Sequence, residues 1–145
     1  MLCFAYGSNM STQRLAARIL ARFVTTAMLP AYRLAFHQLG GDSSGKCDIV
    51  PASGQSAVYG VVWEVAPHHK PTLDGFEGLG IAYDETWLTV TDLASEGQFE
   101  VQAYVGKITS AGMRPSRINW CTRTRLTGSL CARTREYRGS SRSRH

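Results

Sequence analysis

The 145 residues predict one α+β domain, its sheet mainly antiparallel or mixed, with two or three short helices. Three observations lead there. Short runs of apolar, aromatic and β-branched residues recur along the first hundred positions, each closed by Gly, Pro, Ser or Asn. Regular strand–helix–strand alternation, the mark of a doubly wound parallel sheet, is missing, and so is any internal repeat. Hydrophobic residues make up 43% and charged residues 19%, the balance of a chain that folds around a core.

Taken in order, Leu2–Tyr6 is small, apolar and aromatic and is stopped by Gly7-Ser8-Asn9, so it reads as a short strand. A helix is expected from about Ser11 to Arg22. Leu15, Ala16, Ile19, Leu20 and Phe23 recur at three and four, while Gln13, Arg14, Arg18 and Arg22 fall on the other side. Asn9 and Ser11 are both competent N-caps. Tyr32–His37 alternates as a strand, Gly40–Gly45 reads as a flexible loop, and Cys47–Val50 is a brief strand closed by Pro51. Ala57–Val65, rich in Val and aromatic residues, is the strongest strand signal. Pro67–Phe76 predicts a short helix with Pro67 or Pro71 in its first turn and Leu73 and Phe76 as anchors. Thr86–Thr91 and Phe99–Val105 are two further strands joined through Ser95-Glu96-Gly97.

The net charge of +5 divides unevenly. Residues 1–113 carry seven Lys/Arg against ten Asp/Glu, a net of −3, whereas residues 114–145 carry nine Arg against Glu136 alone, a net of +8. The expected organisation is therefore a domain over 1–113 and an atypical arginine-rich segment over 114–145 that can bury little and is expected to be poorly ordered. Such a segment also admits a nucleic-acid-binding arm, with salt-sensitive affinity. It holds few aromatics for base stacking, Trp120 and Tyr137, and the body is acidic, which argues against nucleic acid as a partner. No apolar run approaches the ~20 residues of a membrane span, and the first residues lack the pattern of a secretory signal. Cys3, Cys47, Cys121 and Cys131 have no metal-ligand or redox spacing and read as buried or incidental free thiols, the alternative being two disulfides in a secreted protein. A soluble, cytoplasmic protein without a membrane partner is expected.

Two strings are placed to carry chemistry. Tyr6-Gly7-Ser8-Asn9 joins a strand to a helix N-terminus, where unpaired backbone N–H groups make an anion site and glycine admits a ligand closely. The competing reading is a plain connection capped by Asn9. The other string is Leu73-Asp74-Gly75-Phe76-Glu77-Gly78, followed by Tyr83. Glu77, between an aromatic residue and a glycine at a helix end, is expected in a partly apolar cleft that would lift its pKa from ~4.3 towards neutrality, as a proton shuttle requires. The alternative is a solvated loop glutamate. His68-His69 with Asp74 could suggest a metal, but adjacent histidines do not both face one ion from a regular helix, so they read as solvated residues. His37 is expected half-buried on a strand, Asp84-Glu85 at a strand's surface start, and Tyr83 and Trp63 in the core or at the cleft rim.

Phe4-Ala5-Tyr6-Gly7-Ser8-Asn9-Met10, Tyr59-Gly60-Val61-Val62-Trp63 and Leu73-Asp74-Gly75-Phe76-Glu77-Gly78, in this order over roughly residues 2–106, resemble gamma-glutamylcyclotransferase-like (AIG2-like) proteins. The resemblance implies a small mixed or antiparallel β-barrel with flanking short helices and a cavity, no metal and no cofactor. It implies a small-molecule γ-glutamyl substrate from which 5-oxoproline is released by attack of the substrate's own α-amine. By position, Glu77 matches the family's acid/base glutamate, and Cys3, Phe4, Ala5, Tyr6, Gly7, Ser8 and Asn9 match the loop that holds the substrate's glutamyl part; Tyr83, shortly after Glu77, is a further candidate substrate-binding residue. The glutathione-specific branch usually reads Tyr-Gly-Ser-Leu where this chain has Asn9, which makes glutathione a less favoured substrate.

The ending departs from the pattern. After Pro115-Ser116, Asn119-Trp120 stands where a site-lining tyrosine is usual, and Thr127-Gly128 and Arg135-Glu136-Tyr137 resemble displaced pieces of the family ending. An arginine-rich, lysine-free stretch is what GC-rich coding sequence gives in another frame, so a frameshift near residue 114 is expected, and the alternate reading frame should restore the usual ending. An enzyme altered there could retain the cavity as a catalytically impaired binding protein.

Overall fold

Alternating side chains that are buried on both faces of the same strands organise the structure. The computed structural model describes residues 1–39, 44–107 and 117–118. The elements are β1 (Leu2–Ala5), a 3-10 turn (Ser8–Met10), α1 (Thr12–Ala16), β2 (Ala21–Pro30), β3 (Tyr32–Leu39), β4 (Ser44–Pro51), β5 (Ala57–Val65), a 3-10 turn (Pro67–His69), α2 (Lys70–Glu77), β6 (Tyr83–Asp92), β7 (Gln98–Gly106) and β8 (Arg117–Ile118).

Five strands close a barrel in the order β1-β5-β2-β6-β7. Its neighbours run antiparallel except at the seam, where β1 meets β7 in parallel through Cys3 and Gln102. The expected mixed α+β barrel with short flanking helices is what forms. A separate sheet, β3-β4-β8, sits beside it as a hairpin with β8 parallel to β4.

Period-two alternation explains the two-sided core. Phe4 of β1, Val58 and Val62 of β5, and Val101 and Ala103 of β7 meet Ala27, Leu29 and Val90 in one cluster inside the barrel. The intervening residues Cys3, Ala5, Val61, Trp63, Val65 and Tyr104 face outwards and are covered by Leu15, Ile19 and Leu73 in a second cluster. β1 and the middle of β5, Gly60–Trp63, are therefore covered on both faces, which is why Ala57–Val65 reads as a nearly continuous apolar run, while Tyr59 and Glu64 remain exposed. Gly60 is required here: a Cβ would lie 2.5 Å from both the Ala5 carbonyl oxygen and the Phe4 ring.

The sequence expectation fails over one segment. The helix predicted for Ser11–Arg22 ends at Ala16, and Ala21–Pro30 is a ten-residue strand paired with β5 from Ala21↔Val65 to Pro30↔Ala57. Leu15 and Ile19 are buried as the periodicity required, yet Leu20 and Phe23 are exposed because the chain has already left the helix. The β-branched run Val24-Thr25-Thr26 fits a strand, and barrel closure gives it a partner. Other strands match the expected runs with ends shifted by a few residues.

α2 begins after its 3-10 turn with Pro71 in the first turn, as expected, and Leu73 is buried. Phe76 is not an anchor: it is 55% exposed. The helix stops at Gly78, left-handed at φ 66°, with Leu79 N–H bonded to Asp74 O at 3.0 Å and Gly78 N–H to Gly75 O at 3.3 Å. This Schellman ending places Glu77 on the last helical position. The segment 114–145, with Asn119, Trp120 and the proposed frameshift, lies outside the described residues apart from the two-residue strand β8. The expected Gly40–Gly45 loop lies outside them over 40–43.

Candidate active site

A cavity of about 800 Å³ opens between β1 with its following turn, α1, the end of α2 and the β3–β4 hairpin. Cys3, Phe4, Ala5, Tyr6, Gly7, Ser8, Asn9, Glu77 and Tyr83 all line it, so the structure brings together every residue the sequence nominated. Cys3, Phe4 and Ala5 are buried β1 residues at its floor, whereas Gly7, Ser8 and Asn9 are partly exposed at its wall.

The turn after β1 is a 3-10 turn in which Met10 N–H bonds Gly7 O at 3.0 Å and Ser11 N–H bonds Ser8 O at 3.3 Å. Ser11 is the N-cap of α1, its Oγ accepting from Arg14 N–H at 3.3 Å. Asn9 does not cap the helix. Its Nδ2 donates to Glu77 Oε1 at 2.8 Å across 68 residues of sequence. Trp63 Nε1 donates to the Asn9 carbonyl at 3.0 Å, tying the turn to β5. α1 has only five residues, so the donors at this corner belong to the tight turn rather than to the first turn of a long helix.

Glu77 is not a solvated loop residue; its side chain is 19% exposed. Neither does it stand alone in an apolar cleft, as expected from Phe76 and Gly78. Arg18 Nη1 lies 2.9 Å from Glu77 Oε1 and donates also to Asn9 Oδ1 at 2.9 Å. The guanidinium is 5.2 Å from the centre of the Phe76 ring. Sequence reasoning placed Arg18 on the solvated side of a helix and missed it. Its one signal was its phase, next to the buried Ile19 on a helix that proves too short to carry it away from the turn.

Around this triplet are protonated donors and fixed supports. Tyr83 O–H donates to the Cys47 carbonyl at 2.9 Å, and Tyr6 O–H donates to the Tyr104 carbonyl. Burial, with the nearby Glu77 and Asp48 carboxylates, raises the Tyr83 phenol above its ordinary range; burial, with the Asp48 charge next, raises Tyr6 likewise. Burial pushes the Cys3 thiol up to about 12, with the Glu77 charge adding to it. Tyr104 O–H donates to Asp74 Oδ1 at 2.6 Å, and Asp74 also pairs with Lys70, which reaches Glu85 at 3.1 Å. Burial alone would depress the Lys70 ammonium, but its bonds to Asp74 and Glu85 outweigh that and raise it.

The β3–β4 hairpin is locked against the barrel by buried polar groups. Asp48 Oδ1 accepts from Ile49 N–H and Gly106 N–H, each at 2.7 Å, and its Oδ2 meets His37 Nε2 at 2.6 Å. Gln38 Nε2 donates to the carbonyls of Ala82 at 2.7 Å and Lys107 at 2.8 Å. His37 is half-exposed, as the sequence implied, but has a buried carboxylate partner. The His68 and His69 rings lie tilted against each other, their centres 4.2 Å apart, and no group of three or more possible metal ligands occurs among the described residues. No helix among the described residues is long and apolar enough to cross a membrane.

The family model for gamma-glutamyl cyclotransferase, AIG2-like, matches residues 3–122. Among solved structures, one described as gamma-glutamyl cyclotransferase is 26% identical at a TM-score of 0.69, the match covering 74% of this chain and 66% of that one. An uncharacterized protein from Homo sapiens is 30% identical at a TM-score of 0.66, over 73% of this chain and 66% of that one. An AIG2-like protein from Mus musculus is 20% identical at a TM-score of 0.60, over 76% and 79%. The chain thus spans slightly less than two thirds of the first two. No curated protein sequence matches.

Proposed function

Since the chain belongs to the gamma-glutamyl cyclotransferase, AIG2-like family, we propose that it releases 5-oxoproline from a γ-glutamyl amino acid or amine, with Glu77 as acid and base. The observation that carries this is the contact of Glu77 Oε1 with Asn9 Nδ2 at 2.8 Å inside the cavity, which unites a carboxylate and a donor-rich turn distant in sequence.

The chemistry needs no second reactant. The neutral α-amine of the substrate attacks its own γ-carbonyl carbon, forming the ring C–N bond while Glu77 accepts the proton the amine loses. The tetrahedral carbon then expels the original amide nitrogen, to which Glu77 returns that proton. The products are 5-oxoproline and a free amine, and no water is consumed. Holding the folded-back conformer gives most of the advantage, because intramolecular attack through a five-membered ring needs only orientation. The main-chain N–H groups of the turn Gly7–Asn9 are the candidate donors for the α-carboxylate and the developing oxyanion, while Tyr83, whose O–H is held by the Cys47 carbonyl, lines the wall beside them. Cys3, Phe4, Ala5 and Tyr6 fix the floor against which the glutamyl chain lies.

A panel of γ-glutamyl amides, varied in the leaving amine, should yield 5-oxoproline with wild-type protein. Glu77→Gln keeps the hydrogen-bonding shape but cannot carry the proton, so turnover should fall by about 100-fold or more while the fold is retained. Equal rates for the two proteins would refute the role of Glu77.

A further inference from the structure

Arg18 has no counterpart in the roles given above, yet its side chain lines the cavity and bridges Asn9 and Glu77. Its backbone is pinned between Leu15 and Ile19, which are 3% and 4% exposed, and its N–H bonds the Leu15 carbonyl at 2.9 Å. The side chain, only 18% exposed, runs beneath the Phe76 ring face and ends with Nη1 at 2.9 Å from both Asn9 Oδ1 and Glu77 Oε1. Asn9 Nδ2 reaches the same Glu77 oxygen at 2.8 Å. Arginine, the carboxamide and the carboxylate thus form a closed three-membered ring of contacts.

Two consequences follow from that ring. An asparagine amide can flip, exchanging its oxygen for its nitrogen; a cation on Oδ1 permits one orientation, the one that turns Nδ2 towards Glu77. A carboxylate can rotate about its last bond, exchanging its two oxygens; two donors on Oε1 hold it, and Oε2 has no hydrogen-bond partner among the described residues.

We infer that Arg18 is a positioning residue that fixes Asn9 and Glu77 together, committing Oε1 to the protein and leaving Oε2 as the oxygen that exchanges protons with the substrate. The inference rests on the cyclotransferase reading for its kinetic consequence, but its geometric part stands independently. Arg18 touches Glu77 and Asn9, not the reacting atoms, so its loss should act on the rate of the chemical step rather than on substrate affinity.

The test measures 5-oxoproline release by the full chain carrying Arg18→Met and Arg18→Lys, with Glu77→Gln as reference. Arg18→Met should lower kcat by about 10- to 100-fold and leave KM within about threefold, as expected when a charged hydrogen bond that orients the proton-carrying group is lost. Arg18→Lys should fall between, since an ammonium keeps the charge but not the fork. Added guanidinium ion should restore part of the Arg18→Met rate and none of the Glu77→Gln rate. A rise in KM at unchanged kcat would instead make Arg18 a substrate-binding group and overturn the proposal. Should Arg18→Met fail to fold, Arg18→Lys and Arg18→Gln carry the same comparison.

If wild-type protein releases no 5-oxoproline from any amide, the cyclotransferase reading fails, and the positioning claim is decided by hydrogen exchange. The Asn9 side-chain amide protons, followed in 15N-labelled protein, should exchange about tenfold or more faster in Arg18→Met than in wild type. Equal exchange would overturn it.

Discussion

Adding one methyl group at Gly60 and one at Gly75 should shift stability in opposite directions, and the structure gives the size of each shift. At Gly60 on β5 the new Cβ would fall 2.5 Å from the Ala5 carbonyl oxygen and 2.5 Å from Phe4 Cε2. Both obstacles are rigid, one being backbone of a paired strand and the other a ring 2% exposed in the barrel interior. Ordinary contact begins near 3.4 Å, so β1 and β5 must part by nearly 1 Å or the ring must leave its rotamer. Overpacking of this kind costs about 3 kcal/mol, the upper part of its usual range, which in a chain of this size lowers Tm by about 10 °C. At Gly75 in α2 nothing lies within 4 Å of a new Cβ, so the gain is the helix preference for alanine, about 0.5–1 kcal/mol, or a Tm higher by about 2–4 °C. Thermal unfolding followed by circular dichroism measures both. A Gly60→Ala protein melting within about 2 °C of wild type would refute the packing argument, since the barrel would then have slack where the structure has none.

Further outcomes follow from the buried polar groups. Asp48→Ala strips two backbone N–H groups and His37 of their acceptor and should cost about 2–4 kcal/mol by urea unfolding; a loss below 1 kcal/mol would mean the hairpin is not held by this carboxylate. The Cys3 thiol loses its proton near 9.0 when unfolded and near 12 when folded, so the stability it contributes is complete below pH 9 and is lost as pH rises towards 12. Between pH 9 and 10 that loss amounts to about 1 kcal/mol, and Cys3→Ala should flatten the decline by this amount. At pH 8 iodoacetamide should alkylate the half-buried Cys47 well before the buried Cys3, and the opposite order, read by peptide mass, would contradict the placement of both thiols.

Much of the site was legible in the sequence because its members are local. Tyr6-Gly7-Ser8-Asn9 ends a strand and Glu77 ends a helix at a glycine, and each boundary is written in adjacent residues. Even the role of Trp63 at the rim follows from its phase on a strand whose other face fills the barrel. What could not be read depends on tertiary closure. β2 was hidden because Leu15 and Ile19 carry a true helical phase into residues whose conformation is decided by pairing with β5. Arg18 was hidden for the same reason: on a longer helix it would face solvent, and the early end of α1 turns it onto Asn9 and Glu77 instead. Asn9 read more readily as a helix cap than as a ligand contact, but the cap fell to Ser11, and the Asn9 amide meets Glu77 from another element.

The central claim is that the glutamyl part of a substrate sits between the turn at residues 7–9 and Glu77. A crystal structure of the full chain with 5-oxoproline tests it most directly. The product should lie in the cavity with its carboxylate on main-chain N–H groups of Gly7–Asn9 and its ring nitrogen within hydrogen-bonding reach of Glu77 Oε2. Product bound away from this corner, or seated there with Glu77 turned out to solvent, would contradict it.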